Sequence, residues 1–175
     1  MTRLPSVLFV AVAMLAVGQG ALAAQSQQRL SLEVSGAGNF ATDANPYFDP
    51  QSRPAFEVQG RYTFSRFSLG AGGEFQSPQN NLHQLRASAF VEPRMILAVG
   101  AGRAFYVAAR VGEGRFICTT RCTDEGMHVT YGAGAGLLLR LSARIAADLG
   151  VQYFRVIENS ASGYALIRAG LSIGL

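Results

Sequence analysis

The sequence predicts an all-β fold: an eight-stranded antiparallel up-and-down β-barrel. Three observations carry that prediction. From Leu30 to Leu175 apolar and polar residues alternate with a period of two, as in Phe56, Val58, Tyr62 and Phe64 against Glu57, Gln59, Arg61 and Thr63. Side chains on a strand point to opposite faces at each step, so this is a sheet with one apolar and one polar face. The connections between the alternating runs go long, short, medium, short, long, short, medium. The mid-strand charges, finally, all fall on one face, and the other is continuously apolar.

The first strand is expected over about Arg29 to Phe40, with Leu30, Leu32, Val34 and Phe40 opposite Ser31, Glu33 and Ser35. Ala41 to Pro54, rich in Asp, Asn and Pro, reads as a long loop. The second strand, about Ala55 to Phe64, turns at Ser65-Arg66 into a third that sets Phe67, Leu69, Ala71 and Phe75 against Ser68, Gly70, Gly72 and Glu74. Two strands joined by two residues make a tight hairpin. After a loop from Ser77 to Leu82, the fourth strand carries Leu85, Ala87, Ala89 and Val91 against Gln84, Arg86, Ser88, Phe90 and Glu92. It runs towards Leu97, with Pro93 predicting a bulge or an early end. The fifth, after a turn at Gly100 to Arg103, alternates Phe105, Val107, Ala109 and Val111 with Tyr106, Ala108 and Arg110. A loop over about Glu113 to Met127 holds both cysteines. The sixth strand sets Val129, Tyr131, Ala133, Ala135, Leu137 and Leu139 against Thr130, Gly132, Gly134, Gly136 and Arg140. The turn at Leu141 to Arg144 leads to the seventh, with Ile145, Ala147, Leu149, Val151 and Tyr153 against Asp148, Gly150 and Gln152. A loop at Ile157 to Ser162 leads to the eighth, with Ile167, Ala169, Leu171, Ile173 and Leu175 against Arg168, Gly170, Ser172 and Gly174.

Ahead of these strands lies a basic start at Arg3, an apolar run from Leu4 to Val17, and small residues ending in Ala21-Leu22-Ala23. This is the pattern of a secretory signal peptide, with cleavage expected before Ala24; residues 1–23 are the signal and 24–175 the barrel domain. The run is shorter than the ~20 residues a membrane helix requires. No Cys follows the cleavage site, which argues against a lipid anchor.

All 15 basic residues are Arg, Trp is absent, and there are 20 Gly. The formal net charge of +4 falls by one when Arg3 leaves with the signal. The arginines are scattered singly, a poor electrostatic footprint for nucleic acid, and export makes that class poorer still. Cys118 and Cys122 are separated by three residues. In an exported chain such a pair is expected to form a disulfide, here closing a small ring whose job is to stiffen one loop. A metal site would need further ligands, and His128 is the only nearby His. No cofactor is expected.

The loop rhythm decides which solvent meets the apolar face. In an up-and-down barrel successive connections lie at opposite ends, so the short turns gather at one end and the longer loops at the other. Outer-membrane barrels show this asymmetry. Strands of about ten residues also have the length to cross a bilayer when tilted ~45°. The fold class is therefore a transmembrane barrel. A charge facing lipid at the midplane costs ~2–4 kcal/mol, so the charged face must be the lumen. There Glu33, Glu57, Arg61, Glu74, Arg86, Glu92, Arg110, Arg140, Asp148 and Arg168 are expected to form an ion-pair network. Gly70, Gly72, Gly132, Gly134 and Gly136 share that face and make room beside long side chains, as the narrow interior of a small barrel requires. Tyr62, Phe64, Phe67 and Phe105 near the short turns, and Phe40, Phe56, Phe75, Tyr131 and Tyr153 near the long loops, suit two interfacial girdles. Two rival readings remain. A soluble exported barrel that binds a lipid-like ligand needs an apolar interior. A small-solute pore needs an open one.

The hairpin from Gly136 to Phe154 and the terminal strand from Ala165 to Leu175 resemble the small eight-stranded outer-membrane proteins, OmpX-type barrels and the OmpA transmembrane domain, and the likeness covers the whole exported chain. The resemblance implies an outer-membrane location, outer-membrane lipids as surroundings, a monomer, and handling by the outer-membrane assembly machinery. The alternating end of the last strand, Ile173 and Leu175, looks like the signal that machinery reads, although Leu175 stands where the family usually has an aromatic residue. No peptidoglycan-binding domain follows the barrel, so an anchoring role is not implied. Lipid-modifying chemistry would need an activated Ser beside a His and a carboxylate. His83 lies near Ser77 and Ser88 without a clear carboxylate, and His128 lies near Asp124, Glu125 and Thr130 without a Ser. The expectation is a non-enzymatic barrel with water-contacting rim histidines. Any specific activity would sit in the loops around Cys118 and Cys122 and around Asp43 to Pro54, which vary freely on such a scaffold.

Overall fold

The computed structural model describes residues 29–41, 53–77, 84–100, 102–118, 127–157 and 162–175. The signal sequence, most of the Asp43 to Pro54 loop, His83 and Cys122 lie outside them. Eight strands follow in order: β1 (Leu30–Ala41), β2 (Arg53–Phe64), β3 (Phe67–Gln76), β4 (Gln84–Gly100), β5 (Arg103–Cys118), β6 (Met127–Arg140), β7 (Ile145–Ile157) and β8 (Ser162–Gly174). Each pairs antiparallel with the next, and β8 returns to β1, closing the barrel. Val34 shows the closure, paired with Val58 on one side and with Leu171 on the other. Closure removes the unpaired edges that an open sheet would expose.

The alternation read from the sequence is the alternation of the wall. Along β7 every second residue from Ala146 to Val156 points inward except where Gly150 leaves space, while Leu149, Val151 and Tyr153 point outward. The outward face is a continuous apolar surface that includes both groups of aromatics, among them Phe64, Phe67, Phe75 and Tyr131, each about half exposed. A contiguous apolar patch of this extent is what a soluble monomer avoids.

The inward face has three layers. A small apolar cluster of Ile96, Ala104, Tyr106, Ala108 and Leu138 fills the end with the short turns. The charged residues occupy the middle. Phe90, Phe154, Val156 and Leu166 are buried towards the other end. The polar face of the sequence is thus not polar throughout: at each end of the charged layer apolar side chains mix with polar ones, Ser31, Ser68 and Ser172 beside Ile96 and Leu138, and Asn39, Gln76 and His128 on the side of Phe90 and Phe154.

Several strand limits differ from the sequence-based expectation. Strand β5 continues through the expected loop at Glu113 to end at Cys118, and β6 starts at Met127, so this hairpin rises well above the aromatic belt. That extension carries Glu113 and Arg115 on the outward face, where exposed strand ends can hold charge. Pro93 neither bulges nor ends β4. The ladder to β5 skips Glu92 and Pro93 and resumes at Arg94 with its register unchanged, because Val91 pairs with Val111 and Arg94 with Ala108. The irregularity falls between Ala98 and Gly100, at the turn. The β2–β3 turn holds Ser65 at φ 57°, the left-handed conformation that tight hairpins demand.

Candidate functional site: a closed ion-pair network in the lumen

Glu92, on β4, is fully buried at the centre of the lumen. Four guanidiniums converge on its carboxylate. Arg61 Nη2 and Arg94 Nε donate to Oε1 at 2.8 and 2.7 Å. Arg110 Nη2 reaches Oε2 at 2.7 Å, and Arg168 donates to both oxygens at 3.1 Å. The Gln152 amide adds a fifth donor at 2.8 Å. Parity and register make this possible. All these residues sit at inward positions, and each comes from a strand that passes the same level of the barrel.

The other carboxylates balance the cations that Glu92 gathers. Glu33 on β1 accepts from Arg61 Nε at 3.0 Å, from Arg94 Nη2 at 3.0 Å and from Gln59 at 2.6 Å. Glu57 on β2 takes a two-pronged contact from Arg110, at 2.6 and 3.1 Å, and a longer one from Arg168 at 3.3 Å. Glu74 meets Arg110 at 3.2 Å. Asp148 on β7 accepts from Arg94 at 3.0 Å and from the Tyr106 hydroxyl at 2.7 Å. Bidentate contacts between planar guanidinium and carboxylate groups are the strong form of this interaction. Aromatic faces complete the shell: Arg110 lies 3.9 Å from the centre of the Phe90 ring and Arg94 lies 4.3 Å from that of Tyr106.

The structure therefore brings together Glu33, Glu57, Arg61, Glu74, Glu92, Arg110, Asp148 and Arg168 from the expected set. Arg94 joins them as one of the most deeply buried side chains, although the sequence reading omitted it. The signal was present: Arg94 is two residues from Glu92 and so shares its face, but the bulge or early end expected at Pro93 put that parity in question. Arg140 departs from the expectation. It ends β6 at the mouth of the barrel, where its Nε donates to the Ser142 carbonyl at 3.2 Å, away from the hub. Arg86 pairs through its backbone with Gln76 and Phe116, and its side chain lies outside the described residues. Cys118 closes β5, and its partner position Cys122 is not described, so the bridge lies outside what the structure addresses. His128 is not a rim residue in water: it is 7% exposed and faces inward, because β6 begins early enough to carry it into the lumen.

The inward glycines fit the packing. A Cβ on Gly136 would fall inside the Tyr106 ring, one on Gly132 would meet Phe154, and one on Gly70 would meet Gln59 and Arg61. They make room for aromatic and amide groups as much as for arginine. Below the hub, towards the short turns, a cavity of about 30 Å³ lies among Glu33, Arg61, Arg94 and Leu138, space on the scale of a single water. Among the described residues no group of three or more His, Cys, Asp or Glu side chains is placed to hold a metal ion.

A closed eight-stranded barrel with a charged, filled lumen and an apolar exterior defines the class: this is the fold of the small outer-membrane β-barrels. Neisserial surface protein A superposes with a TM-score of 0.70 at 10% identity, over 83% of this chain and 97% of that one. The N-terminal barrel domain of Pseudomonas aeruginosa OprF gives 0.55 at 15% identity, over 83% and 98%. Ail, the attachment invasion locus protein of Yersinia pestis, gives 0.56 at 12% identity, over 83% and 97%. No protein-family model matches the sequence, and no curated protein does either.

Proposed function

We propose that the chain is a non-enzymatic protein of the outer membrane, exported by its N-terminal signal and inserted as a monomer, whose long loops carry a structural or surface-interaction role. One observation carries this reading: the charges are inside and the apolar surface is outside. A lipid-binding soluble barrel requires the reverse. Among the described residues the ion pairs around Glu92 occupy the middle of the lumen, which favours a plugged barrel over a solute pore, and specific activity is assigned to the loops that contain Asp43 to Pro54 and Cys118 to Cys122. Ail, one of the similar barrels, is an attachment protein that has also been solved with the heparin analogue sucrose octasulfate, which supports loops as a place for surface binding on such a scaffold. Outer-membrane lipids surround the wall, and the assembly machinery engages β8 through Ile173 and Leu175, both outward and exposed.

An epitope tag placed between Asp49 and Pro50 tests the reading. On intact cells that tag is expected to bind antibody, whereas a tag at Ser65-Arg66 is reached only after the outer membrane is breached. Recovery of the protein in the soluble periplasm, or the reverse accessibility, would overturn it.

A further inference from the structure

The acidic residues outside the lumen are sorted by end. Of the 11 acidic residues, five lie in the network and the other six, Asp43, Asp49, Glu113, Asp124, Glu125 and Glu158, fall on or beside the long connections. None falls at the short-turn end. That end instead holds Arg29, Arg66, Arg103, Arg140 and Arg144. Arg29, Arg66, Arg103 and Arg144 are exposed, and Arg140 is half-buried. The other five arginines outside the network, Arg53, Arg86, Arg115, Arg121 and Arg155, fall with the acids on or beside the long connections, so the short-turn rim is cationic because it lacks acids.

Two of these arginines flank one place on the wall. The Ile96 N–H on β4 donates to the Arg66 carbonyl at 2.6 Å, and Arg103 pairs with Gly100 at the end of the same strand. On the outward face of β3, β4 and β5 an apolar groove of about 420 Å³ runs between Phe67, the residue after Arg66, and Leu69, Met95 and Val107. Its floor is low because the central outward positions hold Pro93 and Ala109. Cations at the rim and a groove leading from them up the apolar wall are complementary to one amphiphile.

We propose that this is a binding site for an anionic phospholipid of the periplasmic leaflet, with its phosphate held by Arg66 and Arg103 and an acyl chain laid in the groove over Pro93. The inference rests on the membrane reading above, in which the short turns face the periplasm. It adds a fixed headgroup position to what would otherwise be uniform lipid contact. Each arginine close to an anionic headgroup is worth a factor of about five in affinity. Losing both should then lower the preference for such a lipid roughly 25-fold.

The chain has no Trp, so single substitutions give clean fluorescence probes. Val107→Trp reports the groove, and Leu171→Trp, outward on β8 across the barrel, is the control. The full chain is reconstituted in phosphatidylcholine bilayers containing a small fraction of brominated phosphatidylglycerol. The groove probe should be quenched severalfold more than the control, and Arg66→Ala with Arg103→Ala should abolish the difference. Equal quenching of both probes would overturn the site while leaving the membrane barrel standing. If neither probe is quenched even by brominated phosphatidylcholine, the membrane reading itself fails. Native mass spectrometry decides between occupants: a retained phospholipid lost in the double variant supports the proposal, and a lipid-free dimer that Val107→Trp disrupts replaces the lipid with a second copy.

Discussion

Glu92 accepts hydrogen bonds from four guanidiniums and an amide, and it is the most deeply buried of the described carboxylates. Removing one partner of a buried ion pair leaves the remaining charge uncompensated, at about 3–5 kcal/mol. Glu92→Ala is therefore expected to destabilise the barrel by at least that much, and Glu92→Gln by less, since the amide oxygen still accepts. Urea unfolding from lipid vesicles, followed by the loss of the compact band on unheated gels, measures both. Packing sets a second limit. Gly136→Ala drives a Cβ into the Tyr106 ring, which Asp148 and Arg168 hold in place. The expected cost is ~1–3 kcal/mol. Gly60→Ala, where nothing lies within 4 Å, is the matched control and should change little. At this scale the sequence revealed which residues face inward but not which of them touch. Parity is local, whereas the meeting of Glu57 with Arg168 depends on the register of strands 111 residues apart.

For single strands the period of two was a faithful guide, because one wrong step would turn every side chain to the opposite face. Strand ends were harder to read. Glu113 to Cys118 looked like a loop because glycines and charges appear there, yet the ladder to β6 continues through Glu113, Gly114 and Arg115. Above the belt the outward face meets water or headgroups, and the hydrophobic signal that marks a strand fades. This gradient gives a third prediction. Ala135→Arg, outward between Val107 and Val151, should cost ~2–4 kcal/mol. Met127→Arg, at the upper end of the same strand, should cost ~0–1 kcal/mol. The two are compared by urea unfolding in the same lipid.

The whole molecule is expected to behave as a rigid plugged cylinder. In planar bilayers the unmodified chain should give no steady conductance, and in SDS it should run as a compact species until boiled and then shift in apparent mass. A stable open channel would contradict the packed lumen around Glu92. Architecture at this scale was legible from loop rhythm alone, since alternating long and short connections sort themselves to opposite ends. Two features were not: the inward packing of Ile96 and Leu138 at one end and of Phe90 and Phe154 at the other, and the cationic rim. Both arise from positions far apart in the chain that share only a height along the barrel axis.

The network also bears on how the barrel comes into being. Among the described residues every strand except β6 contributes a charged group to it, with Glu33 and Glu57 arriving at the start of the chain and Asp148 and Arg168 near its end. A partly zipped sheet would leave these groups facing a slot with half their partners missing, so incomplete closure gains little from them. Arg168 reaches Glu57, Glu92 and Asp148 only with β8 in place, so the network rewards the sealed cylinder over a curled sheet that lacks its last strand.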